Sequence, residues 1–457
     1  MEKNEEALIE NSRFVNKHAS EERKYQFDPS PSEEEPKDRR NLVYIIMLLH
    51  GIGVLIPWNM FINANSYFVD YKLNPNVTGT HEYKDDFISY LGITSQLPNV
   101  ILNGLNLFLQ FGGSSKKDKN PKAYQTQPRI PIAIIIDILM CILTVVLAFM
   151  DTSTWSKIFF ILTMITVVIM NCATGIYQSS IYGLAGSLPM KYTNVIIIGN
   201  NICGTLVALI YILMLYASPS PRIAAIWYFI SAILILFVCL AAYFALARSR
   251  FYRYHLRAPA ISEQTDGLIK DSKSTKYKSA DYYSVFKKIW VQCFGVFFCY
   301  FVTLTVFPAI QVHIKKSDPN YFIPDKYFEA IITFLNFNLF SLIGNLITEK
   351  FKKPGPKWVW LPILLRAAFI PLFLFCNYRP DIRKLPVLIK NDFTYALLGI
   401  LLAVTNGYFS SLSMMYAPSL VEPHRAPLAG MMAAFFLILG VFGGLNFALL
   451  ISKLFNK

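Results

Sequence analysis

Long apolar runs separated by short polar ones set the pattern of the chain from Leu42 onward. Eleven such runs fall roughly at 42–68, 86–110, 130–150, 157–186, 193–217, 223–247, 288–312, 327–350, 357–377, 393–417 and 427–452. A helix needs about 20 apolar residues to cross a bilayer. In hydrocarbon the backbone must satisfy itself, and runs of this length do so as helices rather than as barrel strands. The pattern predicts an all-α polytopic membrane protein with eleven transmembrane helices. Residues 1–41 are polar and charged, and read as a disordered cytoplasmic tail. A basic cytoplasmic linker, 248–287, divides a six-helix half (42–247) from a five-helix half (288–457), an arrangement that suggests pseudo-symmetry.

Within the runs the polar residues are ordered. Span 2 carries Gln96, Asn99, Asn103 and Asn106, and span 4 carries Asn171, Thr174 and Gln178. Span 8 carries Asn338, Ser341 and Asn345 beneath Phe334, and span 10 carries Asn406, Ser410 and Ser413. Their intervals of three and four place each set on one helix face. Interhelical glue explains any single one, at about 1 kcal/mol per hydrogen bond. Four aligned stripes instead outline a polar cavity for a neutral, hydrogen-bonding solute. The first span of each half also holds a proline, Pro57 in "GIGVLIPWN" and Pro308 in "TLTVFPAIQVH". Proline frees a carbonyl one turn back and bends a helix. Matching interruptions in two halves point to a binding site with a gate. Trp58 and Asn59, just after Pro57, diverge by about 100° on a helix, so one faces the solute and the other braces the bend.

Composition agrees: 54% of residues are hydrophobic and 16% charged, against about 25% charged in soluble domains. The net charge of +14 raises nucleic acid as a partner, but that would need a soluble basic domain, and none is present. With edge residues assigned to the adjoining loops, 29 Lys and Arg fall on the side of the N-terminus and 13 opposite. That bias orients the chain N-in and C-out. The outside loop 69–85 holds the sequon Asn76-Val77-Thr78, so Asn76 is a glycosylation candidate. The linker opens with "RSRFYRYHLR", which suits anionic lipid headgroups. Asp137 and Arg366 are ionisable residues inside spans, and such residues are functional hypotheses by default. Asp137 is either a proton-coupling site or paired with a neighbour, and Arg366 either anchors its helix or snorkels. No Walker loop, catalytic triad or metal cluster is present, so no catalytic residue, cofactor or metal is expected and an enzyme reading has no support.

Several blocks resemble the equilibrative nucleoside transporters: "GIGVLIPWNMFINANSYF" in span 1, "YQSSIYGLAGSLPMKYTNVIIIGNNICGTL" in spans 4–5, "YFEAIITFLNFNLFSLIGN" in span 8 and "NGYFSSLSMMYAPSLVEP" in span 10. The resemblance implies an eleven-helix, major-facilitator-like fold, N-in and C-out, and alternating access for nucleosides and often nucleobases. It places substrate-binding positions on Leu55, Trp58 and Asn59, on Gln96 and Asn99, and on Gln178 and Ser180. Further ones fall on Phe307, Phe334, Asn338 and Val441, with Gly199 and Gly204 as close-packing positions. The family typically carries an Asp and an Arg on span 8, where this chain has Ser341 and Asn345. Loss of both charges together avoids a stranded buried charge, and both replacements can still bind sugar hydroxyls.

The sequence thus reads as a facilitative nucleoside transporter, extending to nucleobases, in the plasma membrane. Alternatives are a carrier of the same fold for an organic cation or a sugar, a proton-coupled nucleoside transporter, and a receptor that kept the fold. Endosomal or lysosomal residence is the lesser alternative, since Asn4 takes the acidic place of a dileucine signal before Leu8-Ile9.

Overall fold

The computed structural model describes residues 36–64, 67–74, 87–109, 128–217, 220–255, 277, 279–380 and 386–455. Its long elements are helices: α1 (Leu42–Asn63), α2 (Phe87–Leu109), α3 (Arg129–Phe149), α4 (Ser156–Gly186), α5 (Met190–Ala217) and α6 (Pro221–Leu246). They continue with α7 (Ser279–Val306), α8 (Asp325–Lys350), α9 (Trp360–Leu374), α10 (Asp392–Ser419) and α11 (Ala426–Phe455). Among the described residues, nine helices are long and apolar enough to cross a membrane. The other two are α9, which is short, and α2, whose amides dilute its apolar character. On α2 the polar stripe turns inward, while Leu97, Ile101, Leu105 and Phe108 lie exposed. It is an inside-out amphipathic helix, as expected where the solvent is lipid.

Contacts between helix ends show that neighbours run in opposite directions. Near the start of α1, Tyr44 Oη donates to Glu349 Oε1 in the last turn of α8 (2.7 Å). At this proximal end Tyr282 Oη, early in α7, also donates to the carbonyl of Leu107 near the end of α2 (2.8 Å). At the distal end Arg222 Nε, from the first turn of α6, donates to the carbonyl of Ala148 at the end of α3 (2.9 Å). Proximally the halves are fused. One hydrophobic core joins α1–α6 to the proximal parts of α7, α10 and α11, including Ile289, Met414, Leu428 and Leu437. Helices α4 and α11 touch backbone to backbone, and a Cβ at Gly430 would stand 2.4 Å from the carbonyl oxygen of Tyr182. The distal core containing Val306, Phe373, Tyr395 and Ile451 draws its buried members from the second half alone.

Two elements differ from the sequence pattern. Helix α7 starts at Ser279, because charged residues in its first turns hide it from a hydropathy reading, and it stops at Val306. Pro308 therefore follows the helix rather than bending it; a residue without an N–H cannot continue the ladder. Pro57, by contrast, lies inside the continuous α1. Helix α8 is wound as a π-helix over Glu329–Leu335, a form frequent at functional sites. At the start of the linker, Tyr252 is buried and Phe251 packs on Tyr192 with ring centroids 5.3 Å apart. The glycosylation candidate Asn76 lies outside the described residues.

Candidate functional site

Midway along the bundle, α5 passes between α1 and α8. Gly199 brings it against α1, where a Cβ would stand 2.3 Å from the carbonyl oxygen of Leu48. A Cβ at Gly204 would overlap Asn338 Oδ1 at 1.9 Å, so the Asn338 amide lies directly on α5. Asn338 Nδ2 is held by the carbonyl of Phe334 (2.9 Å). Asn59 Nδ2 donates to the carbonyl of Leu55 (3.1 Å) and reaches Cys203 Sγ (3.5 Å), next to Gly204. Asn59, Cys203, Gly204 and Asn338 thus form one level that crosses from the first half to the second. Leu55, Trp58, Phe307, Phe334 and Val441 are half-buried. Phe307 stacks on Phe337 at 3.8 Å and meets Phe334 edge-on at 5.8 Å. Phe334 in turn meets Tyr211 of α5 edge-on at 6.2 Å. An aromatic wall therefore adjoins the amides, the combination that a flat heterocycle with polar edges requires.

The α2–α4 seam is polar and incompletely satisfied. Asn106 Nδ2 donates to Ser180 Oγ (3.2 Å), which donates to the carbonyl of Ile176 (2.6 Å). That serine ties the two helices through Asn106, with its one hydrogen given within α4. Nearby, Asn99 Oδ1, Asn106 Oδ1, Gln178 Oε1 and both polar atoms of Asn103 are buried without a hydrogen-bond partner among the described residues. Gln96 and Asn99 keep 9% and 7% of their surface, so this seam opens slightly at their level. An unmet buried acceptor costs about 1–3 kcal/mol. Several together call for a ligand, water or ion rather than for packing alone.

Ser341 and Asn345 are completely buried where α8 meets α5 and α10. Asn345 Nδ2 donates to the carbonyl of Ile197 (3.4 Å), and Asn194 Nδ2 donates back to the carbonyl of Asn345 (3.3 Å). This reciprocal clasp joins the halves, and Ser411 Oγ adds a bond to Asn345 Oδ1 (3.0 Å). Ser341 Oγ accepts from Asn406 Nδ2 (3.3 Å). Behind them Arg366 is 2% exposed and does not snorkel. Its Nε donates to Thr405 Oγ1, Nη1 to Cys299 O and Sγ, and Nη2 to Thr303 Oγ1 and Leu402 O. The guanidinium staples α7, α9 and α10 through neutral acceptors.

Asp137 is also completely buried, and among the described residues its carboxyl has the Thr174 hydroxyl beside it but no closer hydrogen-bond partner. Thr174 and Tyr177 of α4 and Cys141 of its own helix flank it. Tyr177 Oη is 2.6 Å from His50 Nδ1, and His50 Nε2 is unpartnered. Sequence reasoning missed Asn194, Cys203, Tyr211 and Thr303. Asn194 was detectable as an amide in an apolar span; the others are ordinary span residues until the fold is known.

The family model described as "Nucleoside transporter" matches residues 164–453. The chain is 30% identical to Equilibrative nucleoside transporter 3 of Rattus norvegicus, over 91% of this chain and 90% of that one. It is 29% identical to Equilibrative nucleoside transporter 1 of Homo sapiens, over 91% and 98%. Among solved structures, the human organic anion transporter MFSD10 (TETRAN) superposes with a TM-score of 0.53 at 14% identity, covering 92% of this chain and 95% of that one. That likeness concerns the fold. With the family model spanning most of the second half and relatives aligned along nearly the whole length, the chain belongs to the equilibrative nucleoside transporter family.

Proposed function

We propose that the protein carries nucleosides, and also nucleobases, down their gradients by alternating access. The observation that carries this reading is the set of unpartnered buried amides on α2 and α4, in a chain of this family. They supply donors and acceptors for a base edge or a ribose, while Trp58, Phe307 and Phe334 supply apolar surface. Leu55, Asn59, Asn338 and Val441 complete the substrate level, and Gly199, Gly204, Pro57 and Pro308 serve packing and gating. In this reading all eleven helices span the plasma membrane, N-in and C-out, and the linker meets anionic headgroups. The proximal end is then cytoplasmic, and the fused proximal core is the closed inner gate. Ser341 and Asn345 belong to that gate and meet substrate only as α5 leaves α8. Purified protein in liposomes should accumulate labelled uridine or adenosine to equilibrium and exchange it against unlabelled nucleoside. Folded protein that moves neither nucleosides nor nucleobases rules the reading out.

A proton-coupled mode is the second reading, favoured by the completely buried carboxyl of Asp137. Under an inward proton gradient uptake should then exceed equilibrium, and Asp137→Asn should restore simple equilibration. Uptake indifferent to the gradient leaves the facilitative mode alone. Glycosylation of Asn76 would be seen as a glycosidase-sensitive mobility shift lost in Asn76→Gln.

A further inference from the structure

The buried arginine on α9 touches none of the residues assigned to the substrate, yet its hydrogen bonds lead to one. Arg366 Nη1 occupies the Cys299 carbonyl (2.9 Å), and Nη2 donates to Thr303 Oγ1 (2.8 Å). Thr303 has one hydroxyl hydrogen and two acceptors in reach, Cys299 O at 2.8 Å and Asn406 Oδ1 at 2.9 Å. The guanidinium holds one of the two lone pairs on Cys299 O, and in the arrangement that carries the chain onward this hydrogen goes to Asn406 Oδ1. An amide accepting at Oδ1 must offer Nδ2, which donates to Ser341 Oγ (3.3 Å). Every donor along this chain points away from the cation, so each bond polarises the next.

Ser341 ends the chain and has a hydrogen left over. Hydroxyls elsewhere in the spans donate to a carbonyl one turn back, as Thr163 does to Phe159, Ser180 to Ile176 and Thr305 to Phe301. Ser341 makes no such bond among the described residues. It touches α10 through Asn406 and Gly407, and it stands one turn from the α5 contacts that Asn338 makes at Gly204 and Asn345 at Ile197. Separation of α5 from α8, which alternation between the halves demands, uncovers it.

We propose that Arg366 is a positioning residue for substrate recognition: through Thr303 and Asn406 it fixes Ser341 so that the serine hydroxyl donates to an acceptor atom of the nucleoside. This rests on the transport reading above. The test is uridine uptake into liposomes by wild type, Ser341→Ala, Thr303→Val, the double variant and Arg366→Lys, with thermal stability measured on each. Ser341→Ala and Thr303→Val are near-isosteric and guard against loss of folding. Each should raise KM about fivefold, the worth of one ordinary hydrogen bond, with maximal velocity per folded protein within about twofold of wild type. The double variant should be no worse than either single one, because both break the same chain. Arg366→Lys, which keeps the charge, should recover part of the affinity wherever it folds. Unchanged KM in Ser341→Ala, or additive losses in the double variant, overturns the proposal. So does a loss of stability and velocity at constant KM, the mark of a purely structural role. Wild-type protein that moves no nucleoside or nucleobase is a separate outcome: it overturns the transport reading and this proposal with it.

Discussion

The two polar regions of this bundle are built in opposite ways. Around Arg366 the donors of a buried cation meet backbone, thiol and hydroxyl acceptors, and the network continues to Asn406 and Ser341. Along α2 and α4, Asn99, Asn103, Asn106 and Gln178 all keep polar atoms with nothing to bind. Both regions are rich in polar side chains, so content does not separate them; satisfaction does. A saturated network rigidifies what it joins, whereas an unsatisfied one is costly until something enters it. The Arg366 network therefore presents a fixed face, and the α2–α4 seam holds the capacity that a solute would fill.

This contrast can be broken most severely at Arg366. Arg366→Leu removes the donors that tie α7, α9 and α10 together, at about 1.5–3 kcal/mol for each bond to a charged group, which summed is comparable to the whole stability of a domain. No monodisperse peak is expected in detergent gel filtration. Next in size is Gly199→Ala, whose Cβ meets a backbone oxygen of α1 that cannot step aside; overpacking costs about 1–3 kcal/mol and should lower the thermal midpoint clearly. Gly204→Ala meets only the Asn338 amide, which can turn away, so it should weaken nucleoside affinity more than stability. Smaller still is the effect of Asn103→Leu on folding: with no bond to lose, stability should change by less than about 1 kcal/mol or rise, while uptake falls. A large destabilisation there would make the α2 amides glue, and the contrast would disappear.

The smallest effect lies outside the spans. Glu422, in the loop before α11, bonds Lys288, which holds its carboxyl below the ordinary value of 4.5. A depressed carboxylate stabilises the fold above its ordinary pKa, and that contribution is lost as pH falls through the depressed value. The pair is 43% and 42% exposed, so solvent screens most of it. Glu422→Gln should flatten the acid limb of a thermal-stability profile slightly and leave uptake near neutral pH unchanged.

Hydropathy located apolar segments within a few residues where the helix itself is apolar throughout, as at α3, expected over 130–150 and found at Arg129–Phe149. It failed where chemistry and hydropathy disagree. The first turns of α7 carry Lys287 and Lys288, so the helix begins nine residues before its apolar run. The π-helix through Phe334 has no signature that counting by three and four can detect. Polar stripes were legible because helical spacing fixes which residues share a face. Which of those residues are satisfied was not, because partners such as Thr303 and Asn194 come from other helices. For Arg366 the sequence offered anchoring or snorkelling, and only the neutral cage contributed by α7 and α10 decides between them.

Helix α9 carries a consequence for the surrounding lipid. Its apolar stretch, Trp360–Leu374, rises about 22 Å at 1.5 Å per residue, whereas a typical hydrocarbon core is about 30 Å thick. Arg366 pins it to α7 and α10, so it cannot slide to share the shortfall between leaflets. With α9 spanning as proposed above, the bilayer beside it thins, or the polar flanks of the helix dip into it, at a fraction of a kcal/mol per ångström. On that proposal this flank suits a thin membrane, and acyl-chain length becomes a variable to which uptake should respond.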